Sequence, residues 1–268
     1  MLGARLLATA LLAPKKPKRT VVRDGIVWEL DLREGIDLAI YVFGAFQRQV
    51  IEVINNELNL GNTFIDVGAN RGAISVPVAY HNPSCHVVAV EPTVVRFREL
   101  QKCIELNQQT LKKLSIAQVF LSDTSHSVLP EQIWASWDLY QFHVAGNSVG
   151  AIRCSTEGAK VSSLDDLVAK RGIEEIGVLK LDVDGNEEEV VFGSLETLEQ
   201  SRPSIVLEWS FSVIAERRRS PREMVSQLSS LGYEPMIIGR RSLRSIDWST
   251  ILRSKHSGKS IDLLLRAR

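Results

Sequence analysis

The 268-residue chain lacks most of the features that mark a membrane, secreted or nucleic-acid-binding protein. No apolar run approaches the ~20 residues that span a bilayer. Lys and Arg together number 32, as do Asp and Glu, so no net charge draws the chain toward nucleic acid or an anionic membrane. The spacing of Cys85, Cys103 and Cys154 fits neither a disulfide framework nor a zinc cluster. We expect a globular, cytoplasmic protein with no nucleic-acid partner.

The first nineteen residues are the one place where a targeting signal has to be considered. A short apolar stretch over residues 6–13 is followed, not preceded, by the basic run at residues 14–19. A secretory signal has its positive charges before the apolar stretch and a cleavage site of small residues after it. We therefore predict a flexible tail over residues 1–19 rather than an export signal.

The residues after this tail predict a hairpin and then a helix. Two strand-like stretches flank Asp24 and Gly25, a pair that supports the positive φ angles of a two-residue turn. The apolar residues that follow recur at helical spacing, except that residues 38–43 are apolar throughout and fit either a strand or a helix. We predict that residues 20–60 form a hairpin and helix cap on the main domain.

Residues 61–268 show the alternation of short strands and helices that is typical of a doubly wound α/β sheet. Apolar runs rich in Val, Ile and Leu suit buried parallel strands, and stretches with helical spacing of apolar residues separate them. The runs cover residues 64–67, 87–90, 116–121, 178–183, 205–207, 233–238 and 261–265. The pattern predicts a seven-stranded sheet with helices on both faces.

Four successive strands of this sheet end in a carboxylate. Asp66 opens a glycine loop after the first strand, and Glu91 ends the second. Asp123, preceded by Ser122, follows the third strand, and Asp182 ends the fourth. In an open α/β sheet, ligands bind beyond the carboxyl ends of the strands, near the point where the strand order reverses. We therefore expect these acids to surround one ligand.

The glycine loop does not match the fingerprint of a dinucleotide site. The spacing of Gly68 and Gly72 misses G-x-G-x-x-G, and Asp66 puts a negative charge where a pyrophosphate would lie. Two like charges ~4 Å apart repel by about 4 kcal/mol at an effective dielectric of ~20. S-adenosylmethionine has no phosphate. Its ammonium and sulfonium are cations that favour nearby carboxylates, and its ribose hydroxyls and adenine amine donate hydrogen bonds to acceptor groups. The acids therefore predict S-adenosylmethionine as the cofactor.

The order of the strands predicts a role for each acid. Asp66 attracts the methionyl ammonium, directly or through water, and Glu91 accepts hydrogen bonds from both ribose hydroxyls. Asp123, together with Ser122, accepts a hydrogen bond from the adenine amine. The loop beneath the methionyl and ribose groups is formed by Gly68, Ala69, Asn70 and Gly72.

Four motifs resemble the FkbM family of S-adenosylmethionine-dependent methyltransferases. They are FIDVGANRG at residues 64–72, VAVEP at 88–92, SLDDL at 163–167 and LKLDVDGNE at 179–187. The resemblance covers about residues 25–210. It implies the class I, Rossmann-like methyltransferase fold, with a seven-stranded sheet whose last strand is antiparallel. The best-known members of the family methylate hydroxyl groups on polyketides or sugars.

Three positions depart from the family pattern. Asp184 replaces the glutamate of the usual K-x-D-V-E-G-x-E motif. Pro77 falls in the helix after the glycine loop, where it kinks the helix unless it lies in the first turn. Gln47 stands where many relatives have an acid, which puts a cofactor contact from that side in doubt.

Methyl transfer to a hydroxyl favours a general base, and the candidates follow the fourth and fifth strands. Asp182 comes first, because desolvation at the end of a buried strand raises a carboxylate's basicity. Lys180 shares its strand face and either polarises a substrate oxygen or forms a structural ion pair with Asp182. Glu208 ends the fifth strand. The spacing alone does not predict a metal ion. Glu208, Asp182 and Asp184 are an alternative set of Mg²⁺ ligands, like those of some related sugar methyltransferases.

A long connection over residues 124–160 has the length of a lid or binding loop. It contains Trp134, Trp137, Tyr140 and Phe142. These aromatic side chains suit stacking on a sugar or flat ring, or they anchor a small extra element to the core. His143, in the same segment, is a further candidate base.

Together these features predict an S-adenosylmethionine-dependent O-methyltransferase. Its substrate would be a hydroxyl on a sugar, a polysaccharide or a secondary metabolite. A protein that binds S-adenosylmethionine without turnover is the first alternative. A nicotinamide-dependent oxidoreductase is the second, although Asp66 and the missing glycine argue against it.

Overall fold

A computed structural model describes residues 17–59, 61–137, 151–210, 220–240, 242–253 and 260–268. The strands are β1 (Lys18–Arg23), β2 (Ile26–Asp31), β3 (Thr63–Val67), β4 (His86–Val90), β5 (Leu114–Ala117), β6 (Val119–Leu121), β7 (Gln132–Trp137), β8 (Ala151–Ser155), β9 (Lys160–Ser162), β10 (Ile176–Leu181), β11 (Ser204–Ser210), β12 (Tyr233–Ile238), β13 (Leu243–Ser245) and β14 (Ser260–Ala267). The helices are α1 (Gly35–Phe43), α2 (Arg48–Glu57), α3 (Ser75–His81), α4 (Val94–Leu106), α5 (Leu164–Arg171), α6 (Glu187–Phe192), α7 (Leu195–Ser201), α8 (Pro221–Ser230) and α9 (Trp248–Arg253). Most of the predicted tail, residues 1–16, lies outside the described residues.

The N-terminal segment, residues 18–57, comprises the β1–β2 hairpin and two helices. Asp24 and Gly25 have φ angles of 50° and 78°, as the two-residue turn requires. Alternate residues of β2 point inward, and its Trp28 is almost wholly buried. The single helix expected after the hairpin is instead two, because Gly44 ends α1 in the left-handed region at φ 82°.

The strands form an eight-stranded sheet in the order β13-β12-β14-β11-β10-β3-β4-β5. The chain runs outward from β3 through β4 to β5 and then returns on the other side of β3 as β10. The strand order therefore reverses between β3 and β10, and a ligand crevice is expected at their carboxyl ends. Strands β3, β4, β5, β10 and β11 are mutually parallel.

The last strand is antiparallel, as the family resemblance implied, but the strand count is eight rather than seven. β14 inserts between β11 and β12 and runs antiparallel to both. The additional strand is β13, a three-residue edge strand paired with β12. Its short sequence carries no apolar run, because only Leu243 of the three residues is hydrophobic.

One predicted strand is divided in the structure. The run at residues 116–121 is split at Gln118, so that β5 joins the main sheet while β6 pairs with β9. The helical stretch from Glu187 to Ser201 is also interrupted, at Gly193, where a Cβ would overlap the carbonyl oxygen of Ser122. Close packing against this neighbouring backbone requires glycine and ends α6.

Pro77 is the third residue of α3 and therefore lies in the first turn, where a proline is tolerated. This is the position that the sequence analysis required for an unkinked helix.

The apolar core lies on both faces of the sheet. The N-terminal segment packs on one face together with α3 and α4, and its Trp28, Ile40 and Ile54 join Phe64 of β3 in one hydrophobic cluster. Helices α5 to α9 cover the other face. Among the described residues, no helix is long and apolar enough to cross a membrane.

Candidate active site

A cavity of about 730 Å³ opens at the carboxyl ends of β3, β4, β10 and β11. The glycine loop after β3 forms its floor, and the loop after β10 forms one wall. The N-terminal segment supplies another wall through Gly35, Ile36, Phe46 and Gln47. This places the cavity at the reversal of strand order, where the sequence predicted the ligand.

The glycine loop is held in a conformation that few residues adopt. Gly68 has φ 78°, and a Cβ there would overlap the carbonyl oxygen of Asp182 in the neighbouring loop. Asn70 also lies in the left-handed region, at φ 51°, which asparagine tolerates better than most residues. Gly68, Ala69 and Asn70 line the cavity, so the loop backbone is available to a ligand. Gly72 does not line it, since Leu100 and Val76 lie against that glycine.

Glu91 presents an immobilised carboxylate to the cavity. Its Oε2 accepts a hydrogen bond from the Asn70 N–H at 2.9 Å. Its Oε1 accepts from the Thr93 N–H at 2.9 Å and from the Thr93 hydroxyl at 2.5 Å. Burial raises the pKa of Glu91, while these donors oppose that rise. Two oxygens with further lone pairs, fixed in place, suit a ligand with paired hydroxyl donors.

Asp66 lies beneath the loop instead of facing the cavity. Its side chain is completely buried, Ser75 donates a hydrogen bond to Oδ2, and Lys180 Nζ is 3.2 Å from Oδ1. The same ammonium is 3.1 Å from Asp182 Oδ2, which does line the cavity. The contact predicted between Asp66 and a methionyl ammonium therefore stays a prediction, and the observed partner of Asp66 is Lys180.

Lys180 is a permanent cation at the base of the site. Burial alone lowers the pKa of a lysine, but the carboxylates of Asp182 and Asp66 outweigh burial and raise the pKa of Lys180 above its ordinary value. Lys180 consequently serves as a charge that orients Asp182, and it cannot accept a proton.

Three carboxyl groups meet on the wall that faces the glycine loop. Asp182, Asp184 and Glu208 bring oxygens within 4.8 Å of one another, and all three line the cavity. The charge of Asp182, reinforced by burial and a hydrogen bond between the two groups, raises the pKa of Glu208 to about 9. Desolvation, followed by the charge of Asp182, raises the pKa of Asp184 to about 7, although its side chain is exposed by surface area. At neutral pH, Glu208 holds a proton next to Asp182.

The same trio is where a divalent cation would find oxygen ligands. Mg²⁺ and Ca²⁺ prefer carboxylate oxygens, and these three groups converge as such a site requires. A proton on Glu208 also relieves the repulsion among these three groups.

Ser122 and Asp123 do not line the cavity. The Ser122 hydroxyl donates to the Ser127 hydroxyl at 2.9 Å, which in turn donates to Asp123 Oδ1 at 3.1 Å. β6 leaves the main sheet to pair with β9 and carries these two residues away with it. Val119, Phe120 and Leu121 line the cavity instead and give a wall suited to a flat ring. The adenine contact of Asp123 remains a prediction.

Part of the long aromatic connection covers the cavity. Trp134 of β7 lines it, and the Arg153 guanidinium lies 4.8 Å from the centre of the Trp134 ring. The Asn70 side chain donates to the Ala135 carbonyl at 3.0 Å, which ties β7 to the glycine loop. His143, Tyr140 and Phe142 lie outside the described residues.

Sequence reasoning did not identify Asn186 or the wall formed by the N-terminal segment. Asn186 lines the cavity and donates to the Leu121 carbonyl at 2.8 Å, bridging the loop after β10 to β6. Gln47, noted only as a departure, lines the cavity, has a φ angle of 45° and is the N-cap residue that precedes α2. The positive φ angle of Gln47 is the feature that marks it as a candidate functional residue, and a φ angle cannot be read from a sequence.

The residues present fit a cationic adenosine derivative better than a dinucleotide. Four of the described lining residues carry carboxyl groups, and Lys180, already paired with two acids, is the only basic one. A pyrophosphate would meet no free positive charge here. Glu91 and the glycine loop are the groups available to a ribose and a methionyl group in this cavity, and their contacts with S-adenosylmethionine remain predictions.

Glu208→Gln is expected to flatten the dependence of stability on pH. The folded pKa of Glu208, about 9, is above the ordinary 4.5, so the folded state binds the extra proton and stability is lost as pH rises between these values. One proton corresponds to a slope of at most about 1.4 kcal/mol per pH unit. The variant lacks this loss and should exceed the wild type in stability near about pH 9.

Urea unfolding at several pH values measures this slope. Glu199→Gln on α7, an exposed glutamate, is the matched control and should keep the wild-type slope. An unchanged slope in Glu208→Gln would show that Glu208 is ionised in the folded protein.

Comparison with known proteins identifies a family. The sequence profile described as "Methyltransferase FkbM domain" matches residues 66–235. This stretch contains the loop that begins at Asp66 and all four cavity carboxylates, and it leaves the N-terminal segment outside. None of the curated proteins matches the chain.

Three solved structures illustrate the structural similarity. A methyltransferase FkbM from Methylobacillus flagellatus KT aligns at 12% identity and TM-score 0.49, covering 82% of this chain and 48% of that one. A putative SAM-dependent methyltransferase from Streptococcus mutans aligns at 11% identity and TM-score 0.49, covering 95% and 56%. M. jannaschii TYW2 in complex with AdoMet aligns at 12% identity and TM-score 0.44, covering 95% and 86%. The chain spans about half the length of the first of these.

Proposed function

The chain belongs to the FkbM family of methyltransferases and uses S-adenosylmethionine, and we propose that it methylates a hydroxyl group on a sugar, polysaccharide or secondary metabolite. The observation that carries this proposal is the placement of Asp182, an acceptor held by the buried Lys180 on the cavity wall that faces the glycine loop. A hydroxyl becomes a good nucleophile only as its proton leaves, so a fixed carboxylate at this place suits O-methylation.

S-adenosylmethionine supplies an electrophilic methyl group next to a sulfonium, which leaves as a neutral thioether. Asp182 would take the proton of the acceptor hydroxyl, so that the methylated product is a neutral ether. Lys180 keeps the Asp182 carboxylate in place and balances its charge before the proton arrives.

Glu208 and Asp184 determine which substrate groups can bind to the cavity wall beside Asp182. The protonated Glu208 donates its one proton to Asp182, so its other oxygen, like the carboxylate oxygens of Asp184, can accept a hydrogen bond from a substrate hydroxyl. Trp134 gives an aromatic face on the side of β7, which suits the apolar face of a sugar ring. A neutral polyhydroxylated acceptor satisfies all three groups, whereas an anionic acceptor meets repulsion.

Methyl-labelled S-adenosylmethionine tests the proposal directly. The purified protein is incubated with metabolite and oligosaccharide extracts, and the labelled product is analysed for the atom that carries the methyl group. A methyl ether supports O-methylation, and label on nitrogen or carbon contradicts it. Binding of S-adenosylmethionine without label in any extract would favour a non-catalytic binding protein.

Glu91→Ala is expected to weaken S-adenosylmethionine binding by about 10- to 100-fold, since hydrogen bonds to a charged group contribute about 1.5–3 kcal/mol. The variant removes the acceptor at the ribose position and releases the Asn70 N–H. Isothermal titration calorimetry measures the dissociation constant. Glu99→Ala removes a carboxylate from α4, away from the cavity lining, and should bind as tightly as the wild type. Equal affinities for the two variants would remove Glu91 from the cofactor site.

A further inference from the structure

The guanidinium of Arg71, inside the glycine loop, donates two hydrogen bonds to the N-terminal segment. The Arg71 side chain is 2% exposed. Nη1 donates to Asp37 Oδ2 on α1, and Nη2 donates to the Glu29 carbonyl of β2 at 2.6 Å. The guanidinium also lies 5.9 Å from the centre of the Trp28 ring. A charged side chain of the cofactor loop is therefore held by residues that precede the family domain.

Asp37 is fixed as firmly as Arg71. It is completely buried in the first turn of α1, and its Oδ2 also accepts the Asp31 N–H at 2.6 Å. Glu34 caps this turn by accepting the N–H groups of Ile36 and Asp37 at 2.8 Å and 3.0 Å. Because desolvation offsets most of the attraction in a buried ion pair, stability alone gives little reason to place one here.

Hydrogen bonds connect Arg71 to the residues that are predicted to bind the cofactor. The backbone N–H of Arg71 donates to the Asn70 side chain at 2.8 Å. Asn70 in turn donates its backbone N–H to Glu91 and its side-chain amide to Ala135. A loop with left-handed residues at Gly68, Asn70 and Gly72 has many alternative conformations when nothing holds it.

We propose that Asp37 is a positioning residue which, through Arg71, fixes the glycine loop in the conformation that binds S-adenosylmethionine. Asp37 itself does not line the cavity. The N-terminal segment is then part of the cofactor site, both as a wall and as the anchor of its loop. The proposal rests on the cofactor alone and is independent of the acceptor.

Two variants separate positioning from stability. Asp37→Asn leaves the buried Arg71 guanidinium without its carboxylate partner. The double variant Asp37→Asn/Arg71→Met removes both charges, while the amide oxygen of the introduced asparagine can still accept the Asp31 N–H. Each is expected to weaken S-adenosylmethionine binding by about tenfold, because the loop loses its preorganisation. Calorimetry is performed at about pH 8, where Asp37 is ionised, because burial raises its pKa to about 7 against the opposing charge of Arg71.

Glu57→Gln is the matched control. Glu57 lies on α2 of the same segment and pairs with Arg266 at 2.5 Å and with Ser204 at 2.6 Å, remote from the loop. It should lower the melting temperature without changing the dissociation constant. If the double variant binds as tightly as the wild type at a temperature where both are folded, or if Glu57→Gln weakens binding as much, the positioning role is wrong.

Hydrogen exchange in the wild-type protein tests whether the glycine loop and the Asp37 region are coupled, even if both Asp37 variants fail to fold. The peptide covering residues 28–32 contains the Asp31 amide, which is bonded to Asp37 and does not line the cavity. S-adenosylhomocysteine should slow exchange in this peptide together with the loop at residues 68–72. Protection confined to the loop would overturn the proposal.

Discussion

Asp182→Asn is expected to lower the rate of methyl transfer by about 10²- to 10⁴-fold, the usual contribution of a positioned general base, with cofactor affinity nearly unchanged. Asparagine has the same shape and still accepts a hydrogen bond from Lys180, but it cannot take the hydroxyl proton. Label transfer to the acceptor found by the extract experiment gives the rate, and calorimetry gives the affinity. Asp24→Asn, in an exposed pair with His81, is the control.

Glu208 provides a second test of the role of Asp182 as the base. The charge of Asp182 is the main cause of its raised pKa, so Asp182→Asn should let Glu208 ionise and act as a substitute base. The double variant Asp182→Asn/Glu208→Gln is therefore expected to be slower than Asp182→Asn, whereas Glu208→Gln alone keeps most of the activity. Wild-type turnover in the double variant would show that neither carboxylate accepts the proton.

The main sheet and the cluster of acids could be predicted because their causes are local. Buried parallel strands are apolar on both faces, so their runs stand out in the sequence. Carboxyl ends of parallel strands share one edge, which brings Glu91, Asp182 and Glu208 to one cavity whatever the details of packing. The short edge strand β13 lacks such a run, which explains the difference between seven and eight strands.

The orientation of each acid depends on pairings that a local pattern does not contain. Asp66 and Lys180 are directly opposite in the β3–β10 register, and this long-range pairing puts the carboxylate beneath the loop. The bend at Gln118 removes Asp123 from the cavity by redirecting β6 toward β9. Likewise, Asp37 meets Arg71 across 34 positions and two different elements.

Lys180→Met is expected to lower the free energy of unfolding by about 3–5 kcal/mol, a large part of the ~5–15 kcal/mol of a typical domain. Methionine fills a similar volume but leaves Asp66, which is completely buried, without its cation. A buried unpaired charge is far more costly than the loss of a solvated one. Urea unfolding monitored by tryptophan fluorescence gives the difference.

Lys102→Met on α4 is the matched control, since Lys102 is 52% exposed and lies 3.7 Å from Glu105. An exposed pair of this kind contributes about 0–1 kcal/mol, so its loss should hardly be measurable. Asp66→Asn/Lys180→Met should recover part of the lost stability, because the substitution neutralises the stranded carboxylate while Ser75 keeps an acceptor. Equal stability of the two lysine variants would mean that Asp66 does not depend on Lys180 in the folded protein, and Lys180 would lose its role as the charge that orients Asp182.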